Sequence, residues 1–118
     1  MAPINERNKL LGFNKSYAFI IGINKYPLIN GNLTSAVPDA RRLASILNEG
    51  QGFEHVELLE DIDGATFKSL LERIKSPTLE PIITENDSIV FYYAGHGKPG
   101  EFDEGPAGYI LPSDAKPS

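Results

Sequence analysis

The stretch DSIVFYYAGHG, Asp87 to Gly97, decides how this chain is read. Its segment Ser88-Ile-Val-Phe-Tyr-Tyr-Ala94 is an apolar run of aromatic and β-branched residues of strand length, and it ends directly in Gly95-His96-Gly97. A histidine in that place sits at the carboxyl end of a strand with almost no side-chain bulk beside it. It can therefore meet a ligand, and glycines on both sides let the main chain approach closely. The alternative reading is a tight turn whose histidine is incidental.

Working outward, Tyr17-Ala-Phe-Ile-Ile-Gly-Ile23 is a second continuous apolar run, of the kind that fills a strand covered on both faces. The asparagines, Pro27 and Gly31 between Asn24 and Asn32 punctuate a long loop. Pro38 and Asp39 suit a first helical turn, and Ala40, Leu43, Ala44 and Leu47 recur at helical spacing until Gly50 and Gly52. Val56 to Leu59 reads as a short strand. Phe67, Leu70, Leu71 and Ile74 then give a second amphipathic helix, stopped by Pro77 and Pro81. Beyond His96, Lys98 to Gly108 reads as a glycine-rich loop and Tyr109-Ile-Leu111 as a fourth strand.

Alternating strands and helices require crossover connections, which make a parallel sheet. The expected fold class is α/β, a three-layer sandwich with a mostly parallel sheet and flanking helices, apparently incomplete. Residues 1–16 read as a leader and 17–118 as one domain, with the fourth strand at an uncovered edge. If the second and third strands lie on opposite sides of the first, the loops 24–32 and 95–108 meet in one crevice. Open α/β sheets bind ligands at such a place.

The 118 residues hold one domain's worth of sequence, with 41% hydrophobic and 23% charged residues as in ordinary globular proteins. Sixteen acidic against eleven basic residues give a net charge of −5, which offers no basic surface for nucleic acid or anionic membrane. Neither long apolar run approaches the roughly 20 residues of a membrane span, and the polar start lacks a secretory signal, so a cytoplasmic protein is expected. There is no cysteine, which removes disulfides, thiolate metal sites and any cysteine nucleophile from this chain itself. The glycines between Gly22 and Gly31 do not give GxGxxG, and no GxxxxGK[ST], GxSxG or HExxH pattern occurs.

Among the remaining candidates, His55 lies in a polar stretch and reads as a solvated or satisfied side chain. Glu101, Asp103 and Glu104 could lend oxygens to a Ca²⁺ ion, although the spacing is not that of an EF-hand and a solvated loop face explains the same residues. No other cofactor is implied. Asp39 at a helix start has an ordinary explanation in the helix dipole.

Taken together, YAFIIGINKYP, AVPDARRLASIL, VELLED and DSIVFYYAGHG resemble the first half of the caspase-like fold, in particular the metacaspase and fungal-type branch of the peptidase C14 family, over residues 17 to 114. The resemblance implies a cysteine endopeptidase acting on polypeptide substrates. In it His96 matches the catalytic histidine, Gly97 the glycine whose amide helps to bind the oxyanion, and Asp39 an aspartate lining the pocket for the residue before the cleaved bond. Leu33 stands near the position where caspases place an arginine for aspartate, so Arg or Lys is the expected preference.

The family's nucleophilic cysteine follows its histidine by about 50 residues, which from His96 falls beyond Ser118. The chain is therefore expected to be inactive alone and to depend on a complementary cysteine-bearing subunit or segment, as a fragment or shortened product would. Two other readings stay open: a catalytically inactive caspase-like interaction module, and a flavodoxin-like ligand-binding domain that the element order equally allows.

Overall fold

The computed structural model describes residues 3–29, 31–102 and 105–117, with 99–102 and 105–108 at the level of the main chain. In chain order the elements are α1 (Ile4–Leu11), β1 (Ser16–Gly22), α2 (Ala36–Asn48), β2 (His55–Glu60), α3 (Gly64–Lys75), β3 (Ser88–Ala94), β4 (Gly97–Phe102) and β5 (Gly105–Ile110). The first three strands form a parallel sheet in the order β2-β1-β3. The third layer follows from the two helices: Ile20 of β1 packs with Ala40 and Ala44 of α2, whereas Tyr17, Phe19 and Ile21 pack with Leu70 of α3. Successive side chains of a strand face opposite ways, so α2 and α3 cover opposite faces of the sheet.

All seven residues of β1 are buried, as its unbroken apolar run requires of a central strand. Each large side chain there contributes about 1.5–3 kcal/mol of transfer free energy. Gly22 ends the strand under α2, where a Cβ would stand 2.8 Å from both the Ala36 carbonyl oxygen and the Ala40 Cβ. β3, by contrast, is an edge strand. Ile89 is 43% exposed, and Val90 and Phe91 are each 39% exposed.

Two sequence expectations need correction. Within the described residues the expected leader is not loose, because α1 docks at the entry end of the sheet. Eight residues are too few to hold a helix alone. It is tied down by Ile4 N–H donating to Gln51 O at 2.6 Å and by the buried Asn8 amide donating to Ser16 Oγ at 2.7 Å. The Ser16 hydroxyl in turn bonds Ser88 of β3.

The second correction concerns 98–111, which adds no fourth strand to the parallel sheet. β4 and β5 pair antiparallel as a separate hairpin. The two residues between them, Asp103 and Glu104, are far too few for the crossover a parallel partner would need. The edge of the sheet is accordingly β3. Leu111 N–H donates to His96 O at 3.0 Å, which sets the alternation of the ladder and makes Pro99 opposite Gly108, and Pro106 opposite Glu101, non-bonded pairs. Neither proline then interrupts the ladder. No helix among the described residues is long and apolar enough to cross a membrane.

Candidate functional site

With β1 between β2 and β3, the loops leaving β1 and β3 emerge side by side at the carboxyl end of the sheet, as the strand-order argument requires. The loop after β1 is held by side chains that imitate main-chain partners. Asn24 Oδ1 accepts from Val37 N–H at 3.1 Å at the start of α2, and Asn32 Oδ1 accepts from Tyr26 N–H at 2.8 Å. Asp61, at the end of β2 with φ 50°, accepts from the amides of Asn24 and Lys25 at 2.8 and 3.0 Å. Asparagine and aspartate do this readily because their short side chains reach neighbouring amides.

This loop carries Tyr26 and Gly31 to His96. The His96 Nε2 donates to the Gly31 carbonyl oxygen, which fixes that nitrogen as the protonated one and leaves the lone pair of the neutral ring on Nδ1. The ring lies on the Tyr26 ring, with centroids 4.7 Å apart and planes 56° apart. His96 is half-buried, and its main chain is gripped on both sides. Its N–H donates to the Tyr26 hydroxyl at 2.8 Å, and its carbonyl accepts from the Tyr93 hydroxyl at 2.6 Å.

Both phenols also reach Leu111 O, at 3.0 Å from Tyr26 and 2.9 Å from Tyr93, and stand 3.2 Å from each other. Burial first, and then the Tyr26 hydroxyl beside it, push the Tyr93 phenol well above its ordinary value. Tyr93 thus stays a donor. Gly95 is required here, because a Cβ would meet the Tyr93 and Tyr26 hydroxyl oxygens at 2.5 and 2.6 Å.

Gly97 opens β4 opposite Ile110. Because His96 and Leu111 form the bonded pair, Gly97 belongs to a non-bonded one and its N–H points away from β5, available to an acceptor beside the histidine. Asp39 lies in the first turn of α2, exposed, and its carboxylate takes Arg42 Nη1 at 3.4 Å in an i,i+3 pair rather than capping an amide. His55 is satisfied, with Nε2 2.9 Å from Glu57 Oε1 and its ring 5.9 Å from that of Phe19.

Asp103 and Glu104 of the acidic run lie outside the described residues, as does the Glu101 side chain. Among the described residues no group of three or more acidic, histidine or cysteine side chains could hold a metal ion. Two hollows open away from the histidine. One of about 310 Å³ lies at the opposite end of the sheet between Lys15, Tyr17, Glu54 and His55, and an apolar one of about 250 Å³ lies between Phe67 and Leu71 of α3 and Ile110 and Pro112.

Sequence reasoning singled out His96 but not the residues that hold it. Tyr26 and Tyr93 read as loop and strand aromatics, and only their hydroxyls, useless in an apolar run unless partnered, signalled more.

The parallel sheet, the two covering helices and a histidine presented at the carboxyl end define a caspase-type architecture. The caspase domain family matches residues 15–117, and the chain belongs to that family. It is 31% identical over 112 residues to metacaspase-1 of Meyerozyma guilliermondii, covering 82% of this chain and 26% of that protein. It is 29% identical over 93 residues to metacaspase-1 of Debaryomyces hansenii, covering 70% of this chain and 20% of that protein. The chain thus spans about a quarter or a fifth of the length of these relatives. The chain itself holds no cysteine.

Proposed function

We propose that this chain is the histidine-bearing part of a cysteine endopeptidase of the metacaspase kind, completed by a cysteine-bearing segment or subunit. The observation that carries the proposal is the imidazole of His96, fixed at the carboxyl end of the sheet by the Gly31 carbonyl. A thiolate attacking a peptide carbonyl needs a base to take its proton and an acid to return one to the leaving amine, and an imidazole serves both. With Nε2 committed to Gly31, Nδ1 is the nitrogen left to exchange the proton. Charge gathering on the carbonyl oxygen needs a preorganised donor, and the outward Gly97 N–H supplies one. Asp39 gives the substrate crevice a carboxylate for an Arg or Lys side chain, and the peptidase so completed acts in the cytoplasm.

The test joins this chain to the remaining segment of the Meyerozyma metacaspase-1 and assays peptides ending in Arg, Lys or Asp. The expected result is cleavage by the hybrid, none by this chain alone, and loss of cleavage in His96→Ala. Turnover that survives His96→Ala sinks the proposal. The exposed apolar edge of β3 favours a second reading, an inactive module that accepts a strand from a partner. That reading takes the lead if the folded hybrid binds peptide without cleaving it.

A further inference from the structure

Gly95 and His96 are the whole connection between β3 and β4. Where the imidazole points therefore depends on what grips the His96 main chain. We propose that Tyr26 and Tyr93 are positioning residues for His96, acting together as a phenol clamp that sets its ring and its tautomer; this rests on the peptidase reading of His96.

Geometry carries the inference. The ladder of the β4–β5 hairpin would continue through a direct bond from His96 N–H to Leu111 O. Instead the Tyr26 hydroxyl stands between them, accepting from His96 N–H at 2.8 Å and donating to Leu111 O at 3.0 Å. Tyr93 closes the other side by donating to His96 O at 2.6 Å, while Leu111 N–H reaches the same oxygen at 3.0 Å. Each phenol has one proton, and the acceptors in reach, His96 O, Leu111 O and the other phenol, use both of them. No donor is left over.

The clamp and the imidazole share an origin. Tyr26 is almost fully buried and its own N–H is held by Asn32 Oδ1, in the loop whose Gly31 carbonyl receives His96 Nε2. One loop thus holds the histidine at its main chain through Tyr26 and at its ring through Gly31. Between these two points the side-chain torsions have little freedom, and the lone pair of the neutral ring stays on Nδ1. Gly95 fits this account, since any side chain there would strike both hydroxyls. A proton-transferring group held this way is preorganised before substrate arrives.

The test is read on the chain itself, labelled at its two histidines, with His55 as the internal reference. Long-range proton–nitrogen correlation should show His96 as the Nε2–H tautomer in the natural sequence. In Tyr26→Phe and in Tyr93→Phe, each folded by amide dispersion, the His96 tautomer becomes mixed while His55 is unchanged. The His96 amide in Tyr26→Phe also loses hydrogen-exchange protection by roughly tenfold or more. If Tyr26→Phe does not fold, Tyr93→Phe decides by the same tautomer criterion.

Folded variants with the His96 tautomer of the natural sequence overturn the clamp. In the hybrid with the Meyerozyma segment, the same variants should lower kcat about tenfold or more and leave KM unchanged. A raised KM at constant kcat also overturns it. Survival of turnover in His96→Ala removes the peptidase reading instead, and a tautomer change measured on the chain stands apart from that.

Discussion

The hydroxyl of Tyr26 accepts the amide hydrogen of His96 at 2.8 Å across 70 residues of sequence. The same oxygen lies 3.0 Å from Leu111 O, so the loop after β1, the end of β3 and the segment after β5 meet at one phenol. A histidine placed on so short a connection gains its rigidity from neighbours, and here the neighbours come from distant parts of the chain.

That convergence leaves no space beside the phenols. Gly95→Ala places a methyl within 2.6 Å of both hydroxyl oxygens, which are tied into hydrogen bonds and cannot swing aside cheaply. Overpacking of this kind costs about 1–3 kcal/mol. Thermal unfolding should show a loss of that size, with the largest amide shifts at His96 and Leu111. A stability unchanged from the natural sequence would show that the phenols have room to move.

Asp61 gives a second, separable test. It holds φ 50° while accepting from the Asn24 and Lys25 amides. Asp61→Asn keeps both an acceptor and tolerance of the left-handed region, so it should cost little. Asp61→Ala keeps neither and strands two amide donors, a loss of about 1–3 kcal/mol in denaturant unfolding. Equal stability for the two variants would separate the loop from Asp61.

The sequence made the repeating part of the fold legible and left its fastenings obscure. β1 and β3 are continuous apolar runs whose period and length speak for themselves, whereas the order β2-β1-β3 that brings their loops together entered only as a condition and came from the structure. The helix α1 was hidden because its anchors are a main-chain bond to Gln51 and a buried asparagine on a serine, which carry no periodicity. The hairpin was hidden because Gly97 to Gly108 is rich in glycine and proline, the composition of a loop. Those prolines reveal a ladder only once the register places them at non-bonded positions. At the site, His96 stood out by type and place, whereas Tyr26, Tyr93, Asn24 and Asp61 act through hydrogen bonds across long sequence separations.

Glu57 predicts an acid response. Burial alone would raise its carboxyl, but hydrogen bonds from Arg73 and His55, with the charge of Arg73, outweigh burial and hold it below the ordinary 4.5. A carboxyl lowered in the folded state stabilises the protein above its unfolded value, and that contribution disappears as pH falls through the folded value. Glu57→Gln should therefore lower the unfolding temperature at pH 7 and match the natural sequence at pH well below 4.5. The comparison must be a difference curve, because Glu60 beside Arg41 and Asp63 at the start of α3 are lowered too and add their own acid dependence. A constant gap between the two proteins from pH 7 into strong acid would mean that packing, not charge, accounts for Glu57.

The edge of β3 is the remaining consequence of this fold. Among the described residues only β1 pairs with it, and Ile89, Val90 and Phe91 alternate across its two faces with about two-fifths of their surface in water. An apolar edge with unpaired main-chain groups invites a second strand, and natural sheets blunt such edges with lysine. This chain places none between Ser88 and Ala94. It should self-associate as concentration rises in sedimentation experiments, and Val90→Lys should suppress that association while shifting stability by only about 0.5 kcal/mol, as surface changes do. A natural sequence that stays monomeric throughout, or association that persists unchanged in Val90→Lys, would place the sticking surface elsewhere. The apolar hollow between α3 and Ile110 would then be the next surface to alter, through Leu71→Lys.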